Sequence, residues 1–206
     1  MALSPLWAPP QCSAQAVAVN AVALTADDLL RDASLWGGSV SLRFRLRDGS
    51  LAIYLGSEWA SGDHTATGVP CAGLIPPGGC APEQVRDESR LRTGDVGAAF
   101  RVLGNAGASL AVTADLLAGS VRRESRGLTS GRSLSAEKRM WGGRVGAESR
   151  WQPWEGTPLD VQLGISYGEL RPFSSDVVID GYTPFDHAMR VRRIVFGATW
   201  RFSGAH

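Results

Sequence analysis

The strongest regularity in the chain is an alternation of apolar and polar positions. From Trp36 to Leu46 each even position is apolar or glycine: Trp36, Gly38, Val40, Leu42, Phe44 and Leu46. The odd positions from Ser39 to Arg47 are Ser or Arg. A period of two is that of a strand with one apolar face. Asp48-Gly49 follows as a tight hairpin turn. Leu51, Ile53, Leu55, Ser57 and Trp59 then form one face, against Ala52, Tyr54, Gly56 and Glu58. The same pattern predicts strands over residues 94–104, 108–121, 138–151, the stretch after the turn at Pro153–Pro158, and the segment closing at Phe202. An eighth strand, residues 17–26, is apolar on both faces and is supported by parity and closure.

The connections alternate in length. Those near 27–35, 62–93, 122–137 and 171–188 are long, and those near 48–50, 105–107 and 152–157 are short. Short turns at one end and long loops at the other mark a transmembrane barrel with its turns in the periplasm. An even strand number puts both termini on the periplasmic side. Closure leaves no sheet edge with unsatisfied backbone groups in hydrocarbon. The aromatic residues fit that threading. Trp36, Trp59, Trp141 and Tyr167 fall toward the outer ends of strands on the apolar face. Trp151, Trp200 and Phe202 fall at the inner ends of the same face, with Trp154 in the adjoining turn. Two belts bounding an apolar band are what a membrane interface selects. The rival all-β fold, a soluble barrel of lipocalin type, would turn its apolar face inward around a ligand.

Composition narrows the picture without changing it. Hydrophobic residues make up 44% of 206, and no run approaches the ~20 apolar residues of a spanning helix. A helical membrane protein is excluded. The net charge is +1, so no bulk field draws the chain to nucleic acid. Only Lys138 among the 21 basic residues is lysine.

At the N-terminus, Ala14-Gln15-Ala16 is an A-x-A arrangement of the kind signal peptidase cuts, so residues 1–16 are expected to be the tail of a signal peptide. The barrel then covers 17–202, and 203–206 form a tail. Cys71 and Cys80, nine residues apart in a Pro/Gly-rich loop, fit a short-range disulfide of an oxidising compartment. They do not make a zinc site, because no nearby ligand pair fills four positions. No metal or other cofactor is expected.

On pattern, residues 17–202 resemble the small eight-stranded outer-membrane barrels, the OmpA/OmpX-like group. The resemblance implies insertion by the barrel-assembly machinery through a terminal aromatic strand. Trp200-Arg201-Phe202 is similar to that signal, displaced from the terminus by Ser203–His206.

The inward face is expected to carry Arg43, Arg45, Glu58, Arg101, Asp115, Arg144, Glu148, Asp160, Arg193 and Arg201. Eight strands enclose a space that side chains just fill. These charges must therefore pair, which predicts a plugged, charge-paired lumen rather than a narrow channel for small solutes. A lipid-modifying enzyme would need a His–Ser–carboxylate set near the outer rim. His187, Asp186, Ser174 and Ser175 supply the types without a selecting spacing. His64 and His206 have no evident partner. The remaining expectation is a structural or surface-interaction role for the outer loops, with a possible protein partner there. The outer-membrane lipid around the barrel is the other partner. Arg122, Arg123, Arg126 and Arg132 in the expected loop 122–137 point toward lipopolysaccharide phosphates, which arginine matches in a bidentate way. No P-loop, dinucleotide-binding glycine motif or HExxH is present.

Overall fold

In the computed structural model, residues 16–26, 33–46, 50–68, 82–105, 107–173 and 188–202 are described. They form eight antiparallel strands: β1 (Ala16–Ala26), β2 (Ala33–Arg45), β3 (Leu51–Gly68), β4 (Glu83–Gly104), β5 (Ala108–Gly127), β6 (Ser133–Trp151), β7 (Leu159–Pro172) and β8 (Met189–Arg201). Each pairs with its sequence neighbours, and β1 pairs with β8 to close the ring. The apolar segment 17–26 is thus a full strand, beginning one residue earlier at Ala16. Cys71, Cys80, His187, Asp186, Ser174, Ser175, the Asp48-Gly49 turn, residues 1–15 and the 203–206 tail lie outside the described residues.

The register fixes the barrel's geometry. Following paired residues around the ring leads from Ala16 through Arg43, Tyr54, Gly97, Asp115, Arg144, Gly168 and Val191. The circuit returns to β1 at Ala26, ten residues from where it began. With a rise of about 3.4 Å per residue and a strand spacing of about 4.8 Å, this stagger tilts the strands by about 42°, within the usual range for barrels. Two interior glycines allow the sheet to bend that far. A Cβ at Gly119 would lie 1.9 Å from the Arg92 carbonyl oxygen, and one at Gly142 only 1.8 Å from that of Glu169.

The apolar face points outward on all eight strands, from Val19 on β1 and Leu42 on β2 through Leu55, Val96, Leu116, Val145 and Ile165 to Phe196 on β8. A continuous exposed band of this kind is not found on soluble monomers, and it is the opposite of the lipocalin arrangement. Every belt aromatic is exposed as well: Trp36, Trp59, Trp141, Tyr167, Trp151, Trp154, Trp200 and Phe202.

One part of the expected topology is corrected. Strands β3 to β6 run well past the outer belt, so residues 62–68 and 83–93 are strand rather than loop. Likewise 122–127 and 133–137 are strand, and the connection between β5 and β6 shrinks to 128–132. Alternation that carries polar residues on the outward face has no apolar signal, so it reads as loop in sequence. The turn is held by Glu83 at the start of β4. Its carboxylate accepts the Ser130 hydroxyl at 2.5 Å and the Thr129 and Ser130 amides at 2.7 and 2.8 Å. These bonds, the Ser130 hydroxyl foremost, hold the Glu83 carboxyl below its ordinary range.

Candidate functional site: the barrel interior

The inward face is layered along the barrel axis. At the inner end Arg45, Arg101, Arg150, Asp160 and Arg201 line an open cavity of about 440 Å³. Arg201 reaches Asp160 at 3.3 Å and the Thr157 carbonyl at 2.9 Å. Arg45 and Arg101 sit at the exposed rim of this mouth.

Above the mouth the charges are buried and paired. Arg43 holds Glu148 with two bonds of 3.0 and 2.8 Å, and Arg150 shares the same carboxylate. Arg144 donates its Nε to Asp115 at 2.8 Å and its Nη1 to Glu58 at 3.3 Å. Arg193 also bonds Glu58, so one carboxylate 2% exposed accepts two guanidinium groups. The Tyr54 hydroxyl donates to Asp115, and the Arg43 guanidinium lies 5.4 Å from the Tyr54 ring centre. Asp95 completes the layer. Its carboxylate lies so close to the inward face of Gly56 that a Cβ there would be 2.7 Å from Oδ1. Arg43, Arg144, Arg150 and Arg193 thus share three carboxylates, Glu58, Asp115 and Glu148, with Asp95 beside them, the kind of pairing that burial requires. Beside them a neutral chain runs from Thr199 to Gln162, Asn20 and Ser39. Cavities in and just above this layer measure about 30 and 10 Å³, room for single waters at most.

The outer part of the interior is apolar, which the inward charges alone do not predict. Leu24, Leu35, Leu91, Leu117, Val121, Met140, Leu170, Met189, Val191 and Val195 belong to one buried cluster. On every strand but β1, which carries no charge, these residues share the parity of the inward charges, and that parity is the signal by which sequence can find them. The apolar inward face of 17–26 belongs to the same layer, through Val22, Leu24 and Ala26. Farther out, Asp87 pairs with Arg123 at 2.5 Å and accepts from the Ser125 hydroxyl, all three buried. Arg123 is therefore an interior residue rather than part of a basic loop. Arg122 and Arg126 sit on the outward face of β5, and Arg132 sits in the exposed turn.

The structure brings all ten of the inward charges named from sequence into the interior or its inner mouth. Tyr54, Asp95, Asn20, Gln162, Ser39 and Thr199 belong to the same polar layer and are not among those ten. They are legible by parity, but neutral or isolated residues attract no notice without the ring that gathers them. Among the described residues no group of His, Cys, Asp and Glu is arranged to hold a metal ion.

No protein-family model matches the sequence, and no curated protein matches it. Among solved structures the chain is similar to Neisserial surface protein A, at 13% identity over 93% of this chain and 99% of that one, with a TM-score of 0.56. It is also similar to a major outer membrane protein from Thermus thermophilus, at 14% identity over 92% and 100%, with a TM-score of 0.58. At such identities the likeness is one of fold. Together with an outward apolar band and its two aromatic belts, it gives this chain the fold and the lipid-facing surface of the small eight-stranded outer-membrane β-barrels.

Proposed function

We propose that this chain is a non-enzymatic envelope barrel with a closed, charge-paired lumen, which serves a structural or surface-contact role. The observation that carries the reading is the stacking of two unlike layers in one narrow interior. A paired network of four arginines around Glu58, Asp115 and Glu148 lies under a layer of Leu, Val and Met. An ion passing through would have to break buried pairs and then cross an apolar layer, and each step is expensive. The extended sheet formed by β3 to β6 is the part that reaches the exterior, so surface contact with a protein partner belongs there. Insertion by the barrel-assembly machinery, read from Trp200 and Phe202 at the end of β8, fits the same role.

The test is conductance of the refolded full chain in a planar bilayer. No stable unitary currents are expected in molar salt. Reproducible single-channel steps would overturn the closed lumen and favour a small-solute channel. A heat-modifiable band on SDS gels, checked first, establishes that the barrel has folded.

A further inference from the structure

The outward face of β4, β5 and β6 carries a feature that neither the lumen nor the apolar band uses. Cross-strand register aligns Trp59, Arg92, Ser120 and Arg139 in one row over four strands. In the row beneath, Ser57, Gly94 and Ala118 lead to Trp141. The small side chains of that lower row leave an open trough of about 590 Å³ over Gly94 and Ala118, with Arg92 and Arg139 at its head. Glu137 and Phe173 complete its rim.

Charge separates these two arginines from their neighbours. Arg90 and Arg122 stand directly opposite one another in the next row, and each reaches a glutamate, Glu88 at 3.5 Å and Glu124 at 3.6 Å. Among the described residues neither Arg92 nor Arg139 forms an ion pair. Arg92 and Arg139, on strands about 10 Å apart, flank Ser120 on the strand between them. Arg92 stands beside Trp59, and Arg139 lies one row beyond Trp141, the tryptophans that mark the outer interface. At that depth the medium is lipid headgroup, and the phosphate of a headgroup is the anion that two arginine forks fit.

We propose that Arg92, Ser120 and Arg139 bind a phosphate of the lipopolysaccharide headgroup, with the lipid's sugar or acyl body seated in the trough over Gly94 and Ala118. The site rests on the reading of this chain as a membrane barrel with β3 to β6 outward. Two arginines without a carboxylate partner suit a phosphate, and the trough gives a bulky glycolipid a place that a free anion does not need.

The experiment is native mass spectrometry of the full chain refolded in detergent, titrated with bis-phosphorylated lipid A. Parallel titrations use phosphatidylglycerol and inorganic phosphate. A lipid A adduct is expected, weakened at least tenfold by the pair R92Q and R139Q and by G94W. R126A, farther out on the same face, should leave it unchanged. Position 94 can take a side chain, since a Cβ there meets no atom nearer than 3.8 Å. Equal binding of phosphatidylglycerol, full competition by inorganic phosphate, or wild-type binding by the Arg92/Arg139 pair would overturn the proposal. If G94W loses the heat-modifiable band, the arginine pair on the exposed face decides alone. A wild-type chain without that band sinks the barrel reading itself, which keeps the two failures apart.

Discussion

At the scale of single residues, the interior is a place where one atom's charge matters more than its volume. Glu58 is 2% exposed and takes both Arg144 and Arg193. Glu58→Gln leaves Arg193 without a buried counter-charge and Arg144 with Asp115 alone, so a loss of about 3–5 kcal/mol is expected. Urea titration of the folded band in vesicles measures it. Glu124→Gln removes a partner from Arg122 on the solvated face, where the ion pair is long and half exposed, and should change stability by less than about 1 kcal/mol. Equal effects of the two substitutions would mean that the lumen is wet throughout. The residue scale is the most legible in sequence where charge falls on a strongly alternating strand. Arg123 shows the limit. With Arg122 beside it and no apolar neighbour pattern, it reads as one of a basic loop, whereas its strand turns it inward onto Asp87.

At the scale of elements, the strands divide into two populations. β1, β2, β7 and β8 span 11 to 14 residues, about what a tilted crossing needs, while β3 to β6 span 18 to 22. The longer four therefore carry a sheet out of the bilayer. Bending that sheet into a ring asks for positions without a Cβ, and neighbouring glycines on β6 differ in this. Gly142 faces inward, 1.8 Å in projected Cβ distance from the Glu169 carbonyl, whereas a Cβ on Gly143 meets nothing nearer than 3.5 Å. Gly142→Ala should lower the temperature at which the folded band converts, by an amount equivalent to about 1–3 kcal/mol. Gly143→Ala should leave it within error. Equal tolerance at both positions would show that the strand has room to shift. In sequence the pair reads simply as two glycines, because which one meets a backbone depends on the register with β7.

At the scale of the whole molecule, the apolar face defines the environment. Leu116 stands 66% exposed in the middle of the outward band. In a bilayer, Leu116→Arg should destabilise the barrel by about 2–4 kcal/mol, as lipid-facing charges near the midplane do. The comparison is Arg substitution at Ser120, beyond the belt, where little loss is expected. If both positions tolerate arginine equally in vesicles, the band is not embedded. The same whole-molecule view joins the lumen to the exterior. The interior layers make passage costly, so what the protein does is carried by its outer surfaces, where the extended sheet and the arginine row beside the tryptophans lie.

Sequence by itself determined the strand class, the antiparallel order and the face that meets lipid. All of these follow from a period of two and from the lengths between periods, which are local quantities. Tertiary structure alone decided the ten-residue stagger, the partner of each inward charge and the division of the lumen into polar and apolar layers. It also decided how far β3 to β6 extend. Pairing in a closed barrel joins residues more than a hundred positions apart, as Arg43 and Glu148 are. Alternation says only that each faces inward. The stagger of the ring puts them at the same height.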